Sequence, residues 1–188
     1  MFRAAIALIL VATVAQAQED GPGPNLIIEV AGEANGRIVI DLLPDVAPQH
    51  VDRITRLAFD GAYDGVAFHR VIDGFMAQTG DVEFGRADDY SRMAGRGGSA
   101  YPDLPAEFSS IPYVRGVVGM ARAQDPNSGN SQFFIMFAEA AGLNGQYTVF
   151  GRVIEGMDVV DGIKRGSMAA NGVVASEPDQ MVRVTVEE

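Results

Sequence analysis

The 188-residue sequence has no cysteine and no tryptophan, only two histidines, and 14 basic residues against 25 acidic ones. Without cysteine there are no disulfides, no thiol catalysis and no cysteine-ligated zinc. The histidines, His50 and His69, have no Asp or Glu at metal-ligand spacing, so neither a metal nor another cofactor is expected. No G-x-S-x-G occurs, which removes the nucleophile elbow. "GRGGS" lacks the strand-to-helix context of a phosphate loop. The formal net charge of −11 argues against non-specific binding to nucleic acid or to an anionic membrane, since both need a basic face. The acidic pair Asp88-Asp89 reads as a solvated loop face.

The chain has one long apolar run, Ala4 to Val14, too short for a membrane span of roughly 20 residues. It follows Arg3 and ends at Ala15-Gln16-Ala17, an A-x-A cleavage pattern. Residues 1–17 are therefore expected to be a cleaved secretory signal, with export to the periplasm. Residues 18–25, ending in "GPGPN", read as a linker. Residues 26–188 read as one domain, with no internal repeat.

Within that domain, "LIIEV" and "RIVIDL" flank Asn35-Gly36 and predict a hairpin. Val51, Ile54, Leu57 and Ala58 recur at helical spacing, which predicts a helix from about Pro48 to Phe59, ended by Gly61. Val66 to Asp81 reads as two strands joined by Asp73-Gly74. Asp81 to Ser110 is a long irregular excursion of the kind that is often functional. "GVVGMAR", "SQFFIMF" and "YTVFGRVI" read as strands, "GMDVVDGI" as a short helix and "DQMVRVTVEE" as a final strand. Mostly antiparallel strands with two outer helices point to a closed barrel.

Polar residues interrupt these apolar strands in a repeated way. By alternation Phe68 shares a face with Arg70, Met76 with Gln78, and Gln132 with Phe134. An apolar wall with a few placed polar groups suits a peptide or small-ligand site. The same pattern fits a core in which Arg and Gln pair only with each other. A buried cation needs one partner or the other.

"FHRVIDGFMAQTGD", "GVVGMARAQDPNSGNSQFFI" and "LNGQYTVFGRVIEGMDVVDGI" closely resemble the cyclophilins, the peptidyl-prolyl cis–trans isomerases, in a bacterial, exported form. The resemblance spans nearly the whole domain. It implies a mainly β fold, an eight-stranded antiparallel barrel closed on itself and capped by two helices. It implies isomerisation of Xaa-Pro bonds of proline-containing polypeptides, in aid of protein folding; a monomer is expected. By position, Arg70 and Gln78 match the catalytic pair. Phe75, Met76, Ala121, Arg122, Gln132, Phe134, Leu143 and Tyr147 match the residues around the bound peptide. Tyr147 stands where many eukaryotic members carry His. Gly142 departs from the pattern: many members have Trp or Phe there, so one pocket wall is reduced, which bears on cyclosporin binding. A module that holds proline-containing segments without turning them over is the competing expectation.

Overall fold

A computed structural model describes residues 20–188, so the expected signal segment lies outside the described residues. Strand β1 (Asn25–Ala31) pairs antiparallel with β2 (Gly36–Leu42), Ile28 opposite Ile38. Helix α1 (Pro48–Phe59) has the bounds its periodicity predicts and buries Val51, Ile54, Leu57 and Ala58. Pro48 suits its first turn, where a missing N–H costs nothing. Gly61, at φ 66°, ends it: Gly61 N–H donates to Ala58 O and Ala62 N–H to Leu57 O, the paired bonds of a Schellman cap.

Three short strands follow, β3 (Val66–Ala67), β4 (Arg70–Ile72) and β5 (Met76–Thr79). Beyond the long loop come β6 (Val117–Met120), β7 (Phe133–Met136) and β8 (Val149–Glu155), then α2 (Met157–Gly162) and β9 (Gln180–Glu187). They form one sheet of nine strands in the order β3-β9-β1-β2-β8-β6-β7-β5-β4.

This corrects the expected closed eight-stranded barrel: the sheet is curled and open. Its two edges, β3 and β4, are successive pieces of one segment, separated only by Phe68 and His69. The two do not pair with each other. The outer edge of β4 is covered instead by the loop after α2. Val71 N–H donates to Gly172 O at 2.7 Å, Gly166 N–H to Val71 O at 2.9 Å and Val174 N–H to His69 O at 3.0 Å. A loop thus protects an edge that would otherwise invite pairing.

Alternation along the strands sorts residues between two apolar clusters. Phe133 and Ile135 of β7 join the large interior cluster with Val71, Ala77 and Phe150; Phe134 and Met136 join a smaller one with Met76, Tyr113 and Val149. The candidate site lies over the smaller cluster. Phe68 is a second correction. It belongs to the interior cluster, whereas Arg70 lies on the opposite, site face. The interruption between β3 and β4 breaks the alternation that would have put them together. Phe68 N–H there bonds Asp179 O at 2.8 Å.

The Asp81–Ser110 excursion is tied down from within. The fully buried Asp81 carboxylate accepts from Glu83 and Phe84 N–H on one oxygen, and from Gly95 and Gly97 N–H on the other at 2.7 and 3.0 Å.

Candidate active site

Strand register builds the site. Arg70 on β4 stands opposite Gln78 on β5, Gln78 opposite Phe134 on β7, and Phe134 opposite Gly119 on β6. The four lie in one row across four neighbouring strands. Gly119 is needed there, because a Cβ would collide with Tyr113 and with the Phe134 ring. Tyr113 stacks on Phe134 at 5.7 Å between ring centroids, and Tyr147 meets it edge-on at 5.8 Å. Phe134 is thus locked from two sides.

Over this row lies a pocket of about 180 Å³, lined by Arg70, Phe75, Met76, Gln78, Ala121, Arg122, Phe134, Leu143 and Tyr147. Nine of the ten residues expected from the sequence therefore surround one cavity. The tenth, Gln132, lines an adjoining depression of about 500 Å³, which shares Gln78, Ala121 and Arg122 as its wall. The two depressions form a groove.

Arg70 is half-buried, and burial lowers its pKa; an arginine remains charged at any working pH. Its Nε–H donates to Asn171 O at 3.0 Å, Nη2 to Asn171 Oδ1 at 3.1 Å and Nη1 to Gln78 Oε1 at 3.1 Å. Of the five guanidinium hydrogens, one on Nη1 has only the Met76 sulfur, 3.9 Å away, and one on Nη2 has no partner among the described residues. These are the donors left for a ligand.

The amide orientations follow from Arg70, which can only donate. Gln78 presents Oε1 to it, so Gln78 Nε2 donates to Gln132 Oε1 at 2.9 Å, and Gln132 Nε2 donates to Gly97 O at 2.8 Å. The relay ends on the loop held by Asp81. An internal Arg–Gln network and an open pocket are therefore both present.

Arg122 is spent on the wall. It donates to the carbonyls of Ala123, Gln124 and Gln146, and its guanidinium lies 4.5 Å over the Tyr147 ring. Leu143 sits in a single 3-10 turn, Ala141–Leu143. A Cβ at Gly142 would meet nothing within 4 Å, so this position, where the resemblance implies an aromatic, opens on free space.

The histidines lie elsewhere. His50, in the first turn of α1, is buried; its Nδ1 is 2.6 Å from Glu107 Oε2, and the same carboxylate accepts the Gln49 and His50 N–H groups. Glu107 so caps α1 from a distant loop. His69 is buried against Gly95, neither ring nitrogen has a protein partner, and burial lowers its pKa to about 4. No group of three or more His, Asp or Glu among the described residues is placed to hold a metal ion.

Asn171 is not among the site residues expected from the sequence. Its signal was available: Asn171-Gly172 is the dipeptide of a tight turn.

Residues 26–186 match the family described as cyclophilin type peptidyl-prolyl cis-trans isomerase/CLD. The chain belongs to the cyclophilin family. It is 54% identical over 187 residues to a probable peptidyl-prolyl cis-trans isomerase of Brucella suis, covering 98% of this chain and 93% of that one. It is 37% identical over 145 residues to a peptidyl-prolyl cis-trans isomerase of Helicobacter pylori, covering 75% and 82%. Among solved structures, the cyclophilin AquaCyp293 from Hirschia baltica superposes with a TM-score of 0.71 at 27% identity, over 89% of this chain and 75% of that one. A Cryptosporidium parvum cyclophilin crystallised in the presence of the dipeptide Ala-Pro shares the fold, with a TM-score of 0.73 at 24% identity over 87% and 99%. This cyclophilin is accordingly an enzyme of the peptidyl-prolyl cis–trans isomerase class.

Proposed function

We propose that this isomerase turns Xaa-Pro bonds of exported polypeptides at the Arg70 pocket and so assists their folding. A peptide C–N bond resists rotation by roughly 18–20 kcal/mol because of its partial double-bond character, and an Xaa-Pro bond exchanges in tens to hundreds of seconds. No covalent bond has to break. The catalyst has only to favour the twisted state, in which resonance is lost and the proline nitrogen regains a lone pair.

The observation that carries this reading is the Arg70 guanidinium, gripped on two edges by neutral partners while it shares a pocket with the side chains of Phe75, Met76, Phe134 and Leu143. Its remaining N–H groups face a bound prolyl nitrogen and carbonyl. Phe75, Met76, Phe134 and Leu143 hold the proline ring. Gln78 keeps the guanidinium in place, and Gln132 steadies Gln78. Ala121, Arg122 and Tyr147 border the neighbouring peptide backbone. Charge placed in advance against a developing lone pair, with water kept out, lowers a barrier without reorganisation.

Residues 1–17 direct the chain to the periplasm and are removed there, in keeping with their A-x-A ending, and the mature protein acts as a monomer. The first test is the exchange rate of a short Xaa-Pro peptide, by NMR, with the mature chain. Catalysed exchange is expected. A peptide that shifts on binding but exchanges at its uncatalysed rate would instead support a holding function. Cell fractionation with an epitope-tagged full chain tests export.

A further inference from the structure

Arg70 has no carboxylate partner among the ion pairs of the described residues. Its fork is instead taken by one neutral residue on another element. Asn171 offers its backbone O to Nε and its side-chain Oδ1 to Nη2. We propose that Asn171 is a positioning residue for the isomerase reaction: it aims the Arg70 guanidinium while leaving its charge undiminished. This rests on the function proposed above.

The turn that carries Asn171 is built for the task. Asn171 is left-handed, at φ 54° and ψ 39°, and Gly172 has φ 81°. Val173 N–H closes the turn on Ala170 O at 3.2 Å. Asparagine tolerates this conformation better than other side-chain-bearing residues. The turn is also fixed relative to β4. Gly172 O accepts from Val71 N–H, and any Cβ on Gly172 would collide with Ile72. So the two Asn171 oxygens stand at a set place beside the strand that bears Arg70.

Gln78 alone could not fix the guanidinium. A single bond at Nη1 fixes one nitrogen and leaves the guanidinium plane able to pivot about that point, which moves Nη2. The paired oxygens of Asn171 hold the opposite edge and stop that pivot. An aspartate in the same place would orient the group equally well but offset part of the charge offered to the substrate.

The test uses the mature chain and the variants Asn171→Gly and Asn171→Asp. Glycine keeps the left-handed turn and the backbone oxygen but removes Oδ1. Turnover of saturated enzyme is expected to fall about tenfold, the size of one lost charge-assisted hydrogen bond to a reacting group. Peptide Kd should stay within about twofold of wild type, since the pocket wall is untouched. The Arg70 Nε–H resonance should broaden in Asn171→Gly and keep its wild-type width in Asn171→Asp. Wild-type turnover in Asn171→Gly would overturn the proposal. So would an equal loss of binding and turnover, an unchanged Arg70 resonance, or a broadened one in Asn171→Asp. If the wild type itself shows no turnover, the isomerase reading fails, while the Arg70 resonance still decides the clamp.

Discussion

Arg70 and Gln78 face each other across the β4–β5 ladder, and Arg70 Nη1 donates to Gln78 Oε1 at 3.1 Å. Strand register makes this pair, and the donor-only chemistry of arginine sets the orientation of every amide beyond it. One contact therefore ties the cation over the pocket to the loop at Gly97.

Replacing Gln78 with Leu takes the oxygen acceptor from Arg70 Nη1 and the donor from Gln132 Oε1. A bond to a charged group is worth about 1.5–3 kcal/mol. Turnover should fall by about tenfold or more, with the circular dichroism spectrum unchanged. Single-turnover exchange of a bound peptide checks this.

A Cβ on Gly142 would meet nothing within 4 Å, and the next residue, Leu143, lines the pocket. Gly142→Trp should tighten peptide binding by about 1 kcal/mol, a fraction of what a fully buried aromatic gains. The chain has no other tryptophan, so fluorescence on peptide titration reads the wall directly. No change in Kd and no change in emission would mean that the new ring stays in solvent.

His69 makes stability depend on pH. Burial lowers its pKa from 6.5 to about 4, so between those values the unfolded chain binds more protons than the folded one. Stability is full above pH 6.5 and is lost as pH falls toward 4, by about 3 kcal/mol in all. Urea unfolding at pH 7 and pH 4.5 should show a smaller loss for His69→Gln than for wild type. His50, also lowered by burial against an opposing Glu107 bond, contributes in the same direction and remains in both proteins.

Where the sequence carried local periodicity, it foretold the structure. Val51, Ile54, Leu57 and Ala58, with Pro48 before and Gly61 after, gave α1 its bounds. Residues that depend on distant partners were not legible. His50 is buried because Glu107 comes back to it. Phe68 leaves Arg70's face because the strand breaks at His69. The open sheet edge follows from a loop, Gly166 to Val174, that takes the hydrogen bonds a closing strand would have made. The pocket residues were placed by resemblance to a family. Asn171 lies outside the segments that carry that resemblance, and only the fold brings it to Arg70.

The most direct test compares Arg70→Lys and Arg70→Ala with wild type, for peptide Kd and for turnover of bound peptide. Lysine keeps the charge but not the rigid fork. The account predicts that both variants fold and bind peptide, and that both lose turnover by about a hundredfold or more, the usual cost of removing a placed transition-state donor. Turnover near wild type in Arg70→Ala would contradict it, since the pocket walls alone would then suffice.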